Sequence, residues 1–139
     1  MRLSTRGRYS TRLMLELAKR HKEGPIFLKD ISKAQEISLK YLSQLIMPLK
    51  IAGLLKSTRG AHGGYMLARP PGKINLREII EAVEGPIKLV ECIDDSGFCQ
   101  RKEECVTREI WAEVNTEIYE KLDGVTLKDM LQRSPDLTS

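Results

Sequence analysis

The sequence predicts a mainly helical fold with one small two-stranded hairpin and a long C-terminal helix. Three observations predict it. Residues 38–49 repeat apolar side chains at helical spacing behind a serine suited to start a helix. Thr58 to Gly64, with three glycines, separates two short apolar runs in the manner of a hairpin tip. Ile110, Trp111, Val114, Ile118 and Leu122 then form one broad apolar stripe.

Taken in order, Ser4 or Thr5 caps a first helix expected to run to about Lys22, where Gly24 and Pro25 stop it. Tyr9, Leu13, Met14, Leu17 and Ala18 form its buried stripe. Arg6 and Arg8 stand in or near the first turn, where the helix dipole disfavours cations by about 0.3–1 kcal/mol each. With Arg2 and Arg12 nearby, the reading preferred over a tolerated penalty is that they face phosphate.

Leu28, Ile31 and Ala34 give a short second helix, and Gln35, Glu36 and Ile37 turn the chain into a third. Ser38 caps the third helix, with Ile37 and Leu42 at the hydrophobic-staple positions. Leu39, Leu42, Leu45, Ile46 and Leu49 make a face to be buried, while Lys40, Ser43, Gln44 and Met47 recur on another. A cation, a hydroxyl and an amide are the donor and acceptor types that read base edges in a major groove. Short helix, tight turn and amphipathic helix together make a helix-turn-helix. Pro48 deletes a backbone bond at a cost of about 3 kcal/mol, so a kink or break is expected there.

Strands at residues 54–57 and 65–67 flank the hairpin tip. Arg59 at that tip suits a narrow, electronegative minor groove, and His62 reads as an exposed loop residue near phosphate. No strand-loop-helix follows the glycines, which excludes a nucleotide-binding loop. Asn75 and Glu78 form a capping box for a helix with Leu76, Ile79, Ile80 and Val83, ended by Gly85 and Pro86. A long helix covers about 107–122, and Thr126 and Asp129 cap a last one with Leu127, Met130 and Leu131. The long helix's stripe has little left in a small domain to cover it. Either the same helix of a second subunit covers it, making a homodimer, or the first helix of its own subunit does; the former is favoured.

No apolar run approaches membrane-spanning length and no signal-peptide core is present, so a cytoplasmic protein with no membrane partner is expected. Charge is divided sharply. Residues 1–75 hold fifteen Lys/Arg against four Asp/Glu, a balance of +11, and residues 76–139 hold eight against fifteen, a balance of −7. The first half suits a polyanion and the second would be repelled by one.

Cys92, Cys99 and Cys105 fall within fourteen residues. An odd number in an unsecreted chain points to metal or redox chemistry. Thiolates select iron–sulfur clusters, zinc or copper(I), and inert or purely thiol-redox cysteines stand as the alternative. Zinc is disfavoured by the absence of close C-x2-C pairs. Both histidines, His21 and His62, lie in the other half, so no acid–base constellation accompanies the thiols and an enzyme is not expected.

The opening MRLSTRGRYS, the segment ISLKYLSQL, the hairpin STRGAHGGYML and the clustered cysteines before a long helix resemble the IscR and NsrR group of bacterial winged-helix regulators, over roughly residues 1–131. The resemblance implies a dimer on palindromic, double-stranded operator DNA and an iron–sulfur cluster, of the 2Fe–2S type or else 4Fe–4S. It implies that Lys40, Ser43 and Gln44 face bases, that Tyr41 faces backbone and that Arg59 enters the minor groove. Arg2, Arg6, Arg8, Ser38, Leu39, Gly60 and His62 complete the expected DNA contacts. Cys92, Cys99 and Cys105 become cluster ligands. The fourth ligand departs from the group: Arg108 stands where IscR-like proteins have histidine, and Arg8 where NsrR-like proteins use an acid. The first two cysteines are also one residue further apart than usual. Asp94, Asp95, Glu103, Glu104, a partner's acidic residue or an exogenous molecule are the candidates.

The expected organisation is a winged helix-turn-helix domain at 1–84, a cysteine-rich cluster loop at 85–106, a dimerisation helix with a short final helix at 107–132, and a tail at 133–139. The expected function is a transcriptional regulator of the IscR type, sensing cluster status. The alternatives are a nitric oxide or redox sensor of the NsrR type, and an interaction module that regulates a metabolic enzyme through the acidic half.

Overall fold

Capping side chains set where four of the described α-helices begin. A computed structural model describes residues 3–60, 64–89 and 106–133. Among these, α1 spans Thr5–Lys19, α2 Leu28–Gln35 and α3 Leu39–Ile51. Strands β1 (Leu55–Thr58) and β2 (Gly64–Leu67) pair antiparallel, with Leu55 opposite Leu67 and Thr58 opposite Gly64. Helix α4 spans Leu76–Glu84, α5 Val106–Asp123 and α6 Leu127–Gln132. Ser4 accepts from the Gly7 N–H and Ser38 from the Tyr41 N–H, while Asn75–Glu78 and Thr126–Asp129 close full capping boxes. Each satisfies donors that a helix start leaves unpaired.

Helix α1 is the centre of the core, packed chiefly against α4 and also against α2, α3 and α6. Leu13, Met14 and Leu17 of α1, Ile31 of α2, Leu42, Leu45 and Leu49 of α3, Ile79 of α4 and Leu127 of α6 are buried together. Each such side chain contributes about 1.5–3 kcal/mol by leaving water. Backbone bonds from Leu76 N–H to the Val125 carbonyl (2.8 Å) and from Leu127 N–H to the Ile74 carbonyl (3.0 Å) fasten α6 to the start of α4. Glu84, at the end of α4, accepts from the Ser4 N–H at 2.8 Å and from the Ser4 hydroxyl. That sets a carboxylate at the α1 N-terminus, where the helix dipole favours it.

Several expectations are corrected. The first helix stops at Lys19; His21–Glu23 form a 3-10 turn, closed by an Arg20–Glu23 ion pair at 3.0 Å and by the His21 ring on the Ala18 carbonyl. Ala34 is exposed, because six residues from Leu28 is off the helical stripe; half-buried Gln35, seven residues on, lies nearer to it. Leu39 is 49% exposed rather than buried, since it shares an edge of α3 with Ser43, four residues on. Helix α3 runs through Pro48 without a break. The carbonyl that loses its partner belongs to exposed Gln44, where water can replace it, and the Ala52 N–H bonds the Pro48 carbonyl at 3.1 Å. Strand β1 is displaced by one residue and β2 begins one residue earlier, so that Thr58 and Gly64 pair and Leu54 is buried ahead of β1. Helix α5 does not bury its stripe on α1: Ile110, Trp111 and Val114 are exposed, Ile118 and Leu122 half-buried, and its main contacts are with α4.

Candidate nucleic-acid interface

Helix α3 divides its residues cleanly. Leu42, Leu45, Ile46 and Leu49 are buried, and Leu39, Lys40, Ser43, Gln44 and Met47 are exposed. At about 100° per residue these exposed positions fall on one continuous side of the helix. Ser38 is also exposed, its side chain committed to the cap at 3.1 Å from the Tyr41 nitrogen. The Ser43 hydroxyl donates to the Lys40 carbonyl at 2.7 Å, so it presents acceptor lone pairs outward. Tyr41 is half-buried at the flank, packed edge-on to Tyr9 of α1 with ring centroids 5.4 Å apart.

The sequence reading missed what holds this helix at its angle. Arg12 lies over the Tyr9 ring at 5.3 Å and donates to Gln35 through both its Nε (3.0 Å, to Oε1) and its NH2 group (to the carbonyl). Gln35 in turn donates to buried Glu16 at 2.9 Å. Arg12 therefore braces the α2–α3 turn. At the other end, Lys50 Nζ donates to Ser57 Oγ at 2.8 Å and ties α3 to β1. The signal that could have found the brace was Gln35 falling near the α2 apolar stripe.

The hairpin stands beside α3 as a wing. Its second strand is anchored on the chain two residues before α2: Ile26 and Tyr65 exchange two backbone bonds of 2.8 Å each. Gly64 makes this approach feasible, because a Cβ there would meet the Ile26 carbonyl oxygen at 2.6 Å. Arg59 and Gly60 are exposed at the far end of the wing, Gly60 with φ +100°. Arg6 and Arg8 are exposed on the first turn of α1, with Arg8 donating to Thr5 Oγ1 at 3.2 Å. Arg2 and His62 lie outside the described residues. The outer side of α3, the wing and the start of α1 all belong to the basic half of the chain, residues 1–75.

The profile of the Rrf2 family, described as iron-dependent transcriptional regulators, matches residues 3–133. The chain belongs to the Rrf2 family. Among similar proteins is the transcriptional regulator CymR of Bacillus subtilis strain 168, 45% identical over 94% of this chain and 89% of its own. The structure of CymR, described as the global cysteine regulator of B. subtilis, superposes with a TM-score of 0.83, covering 96% of this chain and 98% of that one. The structure of T. potens IscR is 40% identical, with a TM-score of 0.80 over 100% of this chain and 92% of its own. Rrf2 membership makes the winged-helix architecture and a transcriptional-regulator role secure, and CymR is itself described as a transcriptional regulator. No described helix is long and apolar enough to cross a membrane.

Cys92, Cys99 and Cys105 lie outside the described residues, as do Asp94, Asp95, Glu103 and Glu104. Among the described residues no group of three or more His, Cys, Asp or Glu is placed to hold a metal. Arg108 is in the first turn of α5, and its guanidinium has no lone pair to offer a metal. The three thiolates in sequence are the ligand type that iron–sulfur clusters take, with the fourth ligand among the candidates named above.

Proposed function

We propose that this Rrf2-family protein is a homodimeric, operator-binding regulator of the IscR type, whose output is set by an iron–sulfur cluster on Cys92, Cys99 and Cys105. The observation that carries the DNA-binding part is the outward side of α3 beside the wing. Lys40, Ser43 and Gln44 offer groups for base edges, Leu39 and Met47 offer apolar contact to thymine methyls, and Arg59 extends towards the adjacent minor groove. Arg6 and Arg8 serve phosphate, which positions the head without reading sequence. Two such heads are joined through α5, where Ile110, Trp111, Val114, Ile118 and Leu122 await a second copy.

The cluster reading is supported by the iron-dependent family description, by the IscR likeness and by the three thiolates. Cys92, Cys99 and Cys105 would hold the cluster, which would supply chemistry sensitive to oxidants and nitric oxide. The protein's part is to link the segment carrying them to the dimer helix, so that its state alters the spacing of the two heads. That spacing must match turns of DNA.

A second reading draws on CymR, a cysteine regulator: the thiols, or a bound effector, report sulfur status without a cluster. Two measurements decide. Duplex binding titrated with salt should fall by about 10³–10⁵-fold between 50 and 200 mM if 6–10 phosphates are contacted, with preference for one palindrome retained. Affinity indifferent to salt and to sequence would remove the DNA reading. Anaerobic purification with iron and sulfide analysis should return both elements in cluster stoichiometry; their absence after reconstitution would leave the CymR-like reading.

A further inference from the structure

Buried polar side chains among the described residues are Ser10, Glu16 and Asn115. Asn115 lies on α5, and both ends of its amide serve the main chain of residues 87–89. Its Oδ1 accepts from the Leu89 N–H at 3.1 Å and its Nδ2 donates to the Ile87 carbonyl at 3.2 Å. One turn along, the Tyr119 hydroxyl accepts from the Ile87 N–H at 2.8 Å. These two side chains do for residues 87–89 what a neighbouring strand would do.

The Tyr119 ring also lies 4.5 Å from the Arg77 guanidinium, which pairs with Glu81 of α4 at 3.2 Å and Asp123 of α5 at 3.1 Å. Helix α4 continues the path, since Glu84 accepts from Ser4 at the cap of α1. In sequence, Cys92 comes three residues after Leu89 and Cys105 immediately before Val106. The cysteine segment is therefore tied to α5 twice, covalently at Val106 and by hydrogen bonds at Asn115, about 13.5 Å further along the helix.

We propose that Asn115 and Tyr119, backed by Arg77, are the positioning residues that couple the cysteine segment to the DNA-binding head. This rests on the reading above that the segment is the regulatory input. Coupling of this kind is carried by contiguous packed and hydrogen-bonded groups, and it is reciprocal: if the segment's state changes DNA affinity, DNA must change the segment.

The test uses the reduced, metal-free full chain and a duplex selected by the wild type. It reads the thiols' equilibrium exposure with and without that duplex, as the rate of modification by Ellman's reagent at a concentration low enough that opening and closing are faster than modification. Wild type should show a change of about fivefold or more on binding, at the lower end of known couplings. Asn115→Leu, and Tyr119→Phe, which keeps the ring under Arg77, should still bind the duplex but show less than about half the wild-type change on a logarithmic scale. Variants that respond as the wild type does would overturn the assignment while leaving the regulatory reading intact. A wild type that binds its duplex with no change at the thiols would overturn it too. A wild type that selects no duplex would strike down the DNA-binding reading, and this proposal with it.

Discussion

Gly64→Ala asks whether the wing is seated as tightly as its geometry requires. Gly64 has φ +144° and opens β2 opposite Thr58. A Cβ would stand 2.6 Å from the Ile26 oxygen, 2.7 Å from its carbonyl carbon and 3.1 Å from its nitrogen. All three are backbone atoms, so no side chain can swing aside. If β2 moves away, the two Ile26–Tyr65 bonds are lost, at about 0.5–1.5 kcal/mol each. If it stays, an L side chain at this φ costs about 1–3 kcal/mol before the clash is counted. With the lost bonds added to the conformational cost, urea unfolding should show a loss of roughly 2–6 kcal/mol. Gly60→Ala is the internal control: φ is +100° there, but among the described residues beyond its chain neighbours no atom lies within 4 Å of an added Cβ, so only the conformational cost is expected. Equal losses at the two glycines, or a Gly64→Ala protein within about 0.5 kcal/mol of wild type, the range of an ordinary surface change, would refute the close-contact argument.

Other outcomes follow from the same structure. Arg59→Ala should weaken binding to a selected operator more than binding to unrelated duplex in fluorescence anisotropy; equal loss on all sequences would confine Arg59 to phosphate. Cys99→Ala should abolish the visible iron–sulfur absorption after anaerobic reconstitution, and full absorption in that variant would remove Cys99 from the ligands. Hydrogen bonds from the Thr126 backbone, then its hydroxyl, hold the Asp129 carboxyl below its ordinary value of 3.8. A lowered folded-state pKa contributes stability that is complete above the unfolded value and lost as pH falls through the folded one. The stability gap between wild type and Asp129→Asn should therefore be steady near neutrality and narrow below pH 3.8; a gap that widens in acid would have the wrong sign.

What the sequence made legible was local. Ser38, Asn75 with Glu78, and Thr126 with Asp129 act within one helical turn, so residue identity and spacing were enough to place four helix starts once Ser4 was added. The buried face of α3 was legible because Leu42, Leu45, Ile46 and Leu49 repeat with the helix. Leu39 was not, because its burial depends on where the core ends, which is a tertiary fact. Pro48 followed a local rule that solvent overrode at Gln44. The chain Arg12–Gln35–Glu16 and the Asn115–Tyr119 clip join residues 19 to 32 apart through polar side chains, which carry no periodic signal. In the candidate interface, the exposed side of α3 and the place of Arg59 on the hairpin were legible as residue types in order. Their support by Lys50 on Ser57 and by Gly64 against Ile26 was visible only in three dimensions.

The central claim is that the outward side of α3 reads base edges, and selection of bound sequences from a random duplex library tests it most directly. Wild type should recover a two-fold symmetric site, and Gln44→Ala should recover the same site with preference lost at one position per half. A Gln44→Ala selection identical to the wild type at every position, repeated with Lys40→Ala, would contradict it.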